Sequence, residues 1–170
     1  MAISEVVIGV YNSRRVTEAS ALSVGAYNSA PPSICLQRVS SDGTFTGTIE
    51  TRAHCQVGGR WMCASIYTHW LPMLAPNGPS CANGHNEDWL MTTASSRHPG
   101  GVNVVFVDGA VKFISESIDA GDPTRTATSP PPGFPPLADT SRPQDYSGPS
   151  LYGVWGSLGS MAGGESVQVP

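Results

Sequence analysis

The stretch that most constrains the fold is VNVVFV-DG-AVKFIS, residues 102–115. Two short runs of β-branched and aromatic residues flank Asp108-Gly109, a strong short-range hairpin signal. A two-residue type I′ loop needs positive φ at both central positions, which Asp tolerates and Gly accepts freely. Such a loop predicts strands over 102–107 and 110–115, with Val107 opposite Ala110, Phe106 opposite Val111 and Val104 opposite Phe113. One face then gathers Val102, Val104, Phe106, Val111 and Phe113, and Val104, Phe106 and Phe113 are expected to be buried. The other face, with Asn103, Val105, Val107, Ala110, Lys112 and Ile114, is mixed. Burying the first face contributes about 1.5–3 kcal/mol for each large side chain taken out of water.

The residues just before the hairpin, SSRHPGG at 95–101, raise the question of an active-site loop. Turn geometry already accounts for Asp108 and Gly109. Gly100 and Gly101 suit the entry to a strand, and Pro99 biases His98 towards extended backbone. His98 itself is read as a loop histidine bonded to backbone, set against a catalytic or metal role. In register it lies at the open end of the hairpin, roughly 20–30 Å from Asp108 at about 3.3 Å per residue. A His98–Asp108 dyad is excluded by that distance.

Elsewhere the chain reads as strand pieces in irregular surroundings. SEVVIGVYN (4–12) reads as a strand, EASALSVGAYNSA (18–30) as a short helix or loop, and DGTFTGTIETR (42–52) as a turn with weak strand character. GGRWMCASIYTHWLPML (58–74) alternates as a two-faced strand, and APNGPSCANG (75–84) is turn chemistry. The chain has 19 glycines and 15 prolines, many of the prolines in 120–150, and no core-forming period survives there. After it, YGVWGSLGSMAGGE (152–165) returns to apolar residues between glycines and is expected to dock, with Trp155 plugging the domain's own core. Only 13% of residues are charged and the net charge is −4, so there is no basic footprint for nucleic acid. No apolar run reaches the roughly 20 residues needed to span a membrane, and Met1 leads straight on with no signal-peptide n-region.

Cys35, Cys55, Cys63 and Cys81 admit three pairings, buried thiols, or a zinc site of Cys55, Cys63, Cys81 and His85. No C-x-x-C knuckle supports zinc. At least one disulfide is expected, Cys63–Cys81, because the turn-rich 75–84 stretch folds back towards the 58–70 strand. Its loop of 19 residues would contribute on the order of 3 kcal/mol. A disulfide places the chain outside the cytoplasm. The carboxylates Glu5, Glu50, Glu87, Asp88 and Glu165 share no common spacing. ANGHNEDW (82–89) brings Asn, Glu and Asp together without the order of an EF-hand loop, so it reads as solvated rather than as a calcium site. No G-x-S-x-G elbow is present.

HPGGVNVVFVDGAVKFI carries a histidine, nine residues, then Asp-Gly. This resembles the C-terminal signature of a bacterial prepilin-type family of unknown function. SEVVIGV, GRWM followed by LPMLAPNGPSC, and SGPSLYGVWGSLGSMAGGE resemble further pieces of that family in the same order, over most of residues 4–165. The signature positions are His98, Gly100, Gly101, Asp108, Gly109, Trp155 and Glu165. The resemblance implies a type IV pilin or type II secretion pseudopilin relative in the cell envelope, with no catalysis, no cofactor and no metal. Family members carry a cleavable leader and a hydrophobic helix that anchors and packs the filament. Neither is seen here, so the sequence is expected to begin partway into the globular domain, as a truncated gene, a mis-called start or a cut piece.

The expected fold class is therefore α+β, mainly antiparallel β. It is a pilin-like C-terminal globular domain with a C-terminal β-hairpin and long Pro/Gly-rich connections. Residues 1–170 are read as one domain: 4–119 the core sheet, 120–150 an extended Pro-rich connection, 151–165 a docked tail. The expected role is a structural subunit, partnered by other pilin-like subunits if the N-terminal helix is present, with no nucleic acid and no direct membrane insertion by this chain. Two other readings are a secreted metal-dependent hydrolase using His98 with His54 or His85, and a cell-surface binding module using the tryptophans. Without the helix the chain is expected to form no ordered filament, to be monomeric or loosely associated, and to expose an apolar patch.

Overall fold

The structure is a computed structural model that describes residues 3–25, 30–52, 55–59, 70–84, 90–126 and 149–160. It contains two three-stranded sheets and two short helices, and all pairings but one are antiparallel. The first sheet has the order β1 (Ile3–Ser4), β5 (Gly101–Val105), β6 (Val111–Ser115). The second has β2 (Ser20–Ala21), β3 (Ser80–Ala82), β4 (Leu90–Met91), with β2 and β3 parallel. Helix α1 (Ser33–Leu36) is a single turn behind Pro31-Pro32, and α2 (Gly153–Gly159) closes the chain onto the first sheet. Residues 18–30, expected as helix or loop, thus contain a short strand.

The hairpin is present, but its register is shifted by one residue. Val105 pairs with Val111, Val104 with Lys112, Asn103 with Phe113 and Val102 with Ile114. The cause lies in the turn. Gly109 N–H donates to Phe106 O (2.9 Å) and Phe106 N–H to Ala110 O (2.8 Å), leaving a three-residue loop of Val107, Asp108 and Gly109. Only Gly109 has positive φ, +85°, as in a type I turn followed by a left-handed residue. Asp108 stays out of the left-handed region, and its carboxylate accepts the Ala110 N–H at 2.9 Å. One residue of slip turns β6 over. Ile114 is fully buried beside Val102 and Val104, Phe106 is partly buried, and Phe113 is 49% exposed and Val111 63%. The expectation that Phe113 is buried is therefore wrong. Its ring instead covers Gly101, where an added Cβ would lie 2.9 Å from Phe113 Cε1 and run into the Ile114 carbonyl oxygen. Gly109→Val is expected to cost about 1–2 kcal/mol, because a β-branched residue resists positive φ; urea unfolding measures it.

Only the first two residues of the expected 4–12 strand lie near a regular ladder. Beyond β1 the backbone is handed from partner to partner. Glu5 N–H reaches Asn103 O, Glu5 O accepts from Ser95, Gly9 N–H reaches Val57 O and Val10 N–H reaches Glu18 O. The 42–52 segment forms isolated bridges, Thr44 with Arg15, Phe45 with Val39 and Ile49 with Ala21. Most of the strand expected over 58–74 lies outside the described residues, as do His54, Cys63 and His85.

Two apolar clusters form the core. One joins Ala19, Ala21, Cys35, Phe45, Ile49, Leu74, Cys81 and Met91. Through it runs a disulfide, Cys35–Cys81, with Cα atoms 5.5 Å apart. This corrects the expected Cys63–Cys81 pairing and withdraws Cys81 from any zinc set. The reason is the sheet: β3 lies between β2 and β4, which directs Cys81 into the cluster that α1 covers with Cys35. The second cluster joins Ala94, Val102, Val104, Ile114, Ile118, Trp155 and Leu158. Trp155 is fully buried, stacks on Trp70 with ring centroids 5.0 Å apart, and donates its indole N–H to Leu74 O at 2.9 Å. Gly156 permits the tight approach, since a side chain there would meet Ser150 Oγ and Tyr152 Cβ. Among the described residues no helix is long and apolar enough to cross a membrane.

Candidate functional site around Glu5 and His98

Among the described residues, a connected polar site lies where the extended segment after β1 meets the loop leading into β5. Antiparallel pairing of Ile3 with Val105 and Ser4 with Val104 brings Glu5 level with Asn103. The Glu5 carboxylate accepts the Asn103 backbone N–H at 2.8 Å and the Asn103 side-chain amide at 3.2 Å. His98 Nε2 lies 3.2 Å from the same carboxylate. One side chain thus ties the segment after β1 to two points, His98 and Asn103, that lie 93 and 98 residues further along the chain.

The loop is shaped by its own hydroxyls. Ser96 Oγ donates to Gly101 O at 2.6 Å and accepts the His98 N–H at 2.9 Å, so the chain reverses across Arg97–Gly100. Gly100, with φ +80°, supplies the left-handed residue that reversal needs. Ser95 Oγ accepts the Val7 N–H at 3.0 Å, and Ser96 N–H donates to Asn77 Oδ1. Arg97, itself exposed, reaches the half-buried Glu18 at 3.5 Å. A shallow cleft of about 480 Å³ is left, lined by Glu5, Val6, Val7, Ile8, Ser95, Ser96, Arg97 and His98.

Burial works to raise the pKa of Glu5. The Asn103 hydrogen bonds, and then the charge and hydrogen bond of His98, work the other way and win, so the pKa falls below its ordinary 4.5. A carboxyl held down in the folded state contributes stability that is complete above the unfolded value. That contribution is lost as pH falls through the lower folded value. The stability difference between the wild type and Glu5→Gln is therefore expected to be level above about pH 4.5 and to shrink below it. Urea titrations between pH 3 and pH 6 check this.

The signature residues His98, Gly100, Gly101, Asp108 and Gly109 share one hairpin but not one site. His98 is at the open end with Glu5, and Asp108 and Gly109 are in the turn. His98 donates its backbone N–H to Ser96 and turns its ring to Glu5, a side-chain partner not anticipated from the sequence. Trp155 belongs to the second core cluster, and Glu165 lies outside the described residues. Glu87, Asp88 and most of the loop considered for calcium also lie outside them. The described residues contain no group of three or more His, Cys, Asp or Glu placed to hold a metal ion. Asn103 was the residue missed; Glu5 was weighed among the carboxylates, but its partnership with Asn103 and His98 was not foreseen.

The family model described as "Protein of unknown function (DUF1559)" matches residues 12–121, well over half of the chain. The chain belongs to this family. The DUF1559 match takes in His98 and the whole hairpin, whereas Glu5, which clasps that hairpin, and Trp155, which packs against it, stand on either side of the matched span. No curated protein matches the chain, and no solved structure matches it.

Proposed function

We propose that this DUF1559 chain is a pseudopilin-like structural subunit of the cell envelope, working by assembly and without catalysis. The observation that carries this reading is how the polar groups around His98 are used. Glu5, Asn103, Ser95 and Ser96 each bond backbone or side chains of another segment, and together they fasten β1 and the His98 loop to β5. A hydrolytic site needs a nucleophile or metal-bound water facing open space beside a base. Here the serine hydroxyls point into backbone. The resemblance of the hairpin and the Trp155 segment to prepilin-type proteins supports the same reading, and the Cys35–Cys81 bond suits an extracytoplasmic compartment.

The test is double. Native cells are fractionated and treated with a short amine cross-linker. Ladders at multiples of the subunit mass in the envelope fraction support an assembling subunit. The purified chain is also assayed against ester, peptide and glycoside substrates with zinc and with calcium. Turnover that disappears in His98→Ala, while the thermal midpoint stays put, would overturn the reading in favour of a hydrolase.

A further inference from the structure

Beyond the first sheet the chain runs through Gly121-Asp122-Pro123-Thr124, which holds its one Asp–Pro bond. Asp and Pro suit the first two positions of a β-turn, and the Arg125 N–H closes this one by donating to Asp122 O at 3.2 Å. The Asp122 carboxylate is turned forward over the same turn. Its Oδ1 accepts the Thr124 N–H at 2.9 Å and the Thr124 hydroxyl at 2.6 Å, and neither bond uses Oδ2. The Asp122–Pro123 peptide is also pinned on both sides. Asp122 N–H reaches Leu151 O at 3.4 Å, and Pro123 O accepts the Ser33 N–H at 2.8 Å. Gly121 and Asp122 are exposed, so water reaches the bond.

We propose that the Asp122–Pro123 bond is a self-cleavage site, cut in mild acid by the Asp122 carboxylate. This goes beyond the assembly reading and does not depend on it. Asp122 Oδ2 attacks the carbonyl carbon of its own residue, and a cyclic anhydride forms as the bond to the Pro123 nitrogen breaks. The electron pair of that bond stays on nitrogen, which takes a proton from solvent and leaves as a secondary amine. Water then opens the anhydride, which restores the side-chain carboxyl and leaves a new C-terminal carboxyl on Asp122. The sum is one chain and one water giving two pieces. The turn contributes by holding the carboxylate against the carbonyl it attacks. The Arg125 N–H, already bonded to Asp122 O, stabilises the negative charge which that oxygen gains on attack. An ionised carboxyl and a proton for the leaving nitrogen are needed together, so the rate rises as pH falls until Asp122 is itself protonated. The Thr124 hydroxyl and then its amide, against a burial effect in the other direction and with help from the Arg125 charge, hold this carboxyl below its ordinary 3.8. The rise therefore continues further into acid. The other carboxylate near the turn, Asp119, bonds the Gly121 N–H. Cleavage leaves every strand of both sheets on the first piece and α2 on the second. Trp155 holds the second piece in place, through its burial and its bonds to Asp119 O and Leu74 O. The docked tail becomes a plug that no covalent bond retains.

Mass spectrometry of the purified full chain in mild acid tests this. Pieces 1–122 and 123–170, together heavier than the intact chain by one water, are expected to accumulate about tenfold faster from the folded chain than from the same chain unfolded in urea at the same pH. Asp122→Ala removes the nucleophile and is expected to stay whole. Thr124→Val keeps the amide and loses the hydroxyl. It is expected to cleave about three- to tenfold more slowly, and its rate to stop rising at a higher pH than that of the wild type. Cleavage of the folded chain no faster than of the unfolded one, cleavage that persists in Asp122→Ala, or a Thr124→Val pH profile identical to the wild type overturns the proposal.

Discussion

Trp155→Ala is expected to lower the free energy of unfolding by about 3–5 kcal/mol, a large share of what a domain of this size has. Three losses coincide. The indole is fully buried in the cluster formed by Val102, Val104 and Ile114, so its removal leaves a cavity that the sheet cannot close. The stack on Trp70 disappears. The Leu74 carbonyl loses the 2.9 Å donor that ties the second cluster to the first. Trp155→Phe keeps an aromatic ring and loses the N–H, so about 1–2 kcal/mol is expected. Urea midpoints for the three proteins measure both steps. Equal stability of Trp155→Ala and wild type would mean that α2 contributes nothing to the fold.

Replacing Cys35 and Cys81 together by alanine is expected to cost about 4 kcal/mol. The bond closes a loop across a sequence separation of 46, and the cost follows from the freedom this removes from the unfolded chain. Dithiothreitol should lower the thermal midpoint of the wild type and leave that of the double variant unchanged. The comparison isolates this bond, because Cys55 and Cys63 are present in both proteins. A midpoint that drops equally in both would assign the effect to another pair of thiols.

The particular residues show what a single chain reveals. The hairpin was legible because Asp108-Gly109 sits between two apolar runs, and the mainly antiparallel α+β class followed from similar short runs. Its register was not legible, because Phe113 and Ile114 are adjacent apolar residues and either can face the core. The choice was made by the Asp108 carboxylate bonding Ala110 N–H, a local preference that favours a three-residue loop. That a disulfide exists was legible from the cysteine count. Its partners depended on β3 lying between β2 and β4, and a two-residue parallel pairing leaves no periodic trace. The Glu5 clasp was illegible for a related reason. It joins residues 93 and 98 positions apart, and each of them alone is an ordinary polar residue.

The two core clusters also differ in when synthesis can complete them. The first draws on residues 19 to 91, so its members, including both bonded cysteines, have all been made before β5 exists. The second needs Ala94, the hairpin and finally Leu158. Its sheet joins Ile3 to Val105, a closure across most of the chain. Contacts that distant are slow to form. The order of synthesis thus lets the first cluster be complete in residues before the hairpin and then α2 are added. Until Trp155 and Leu158 are made, the Ile114 face of the hairpin lacks the side chains that cover it in the finished fold.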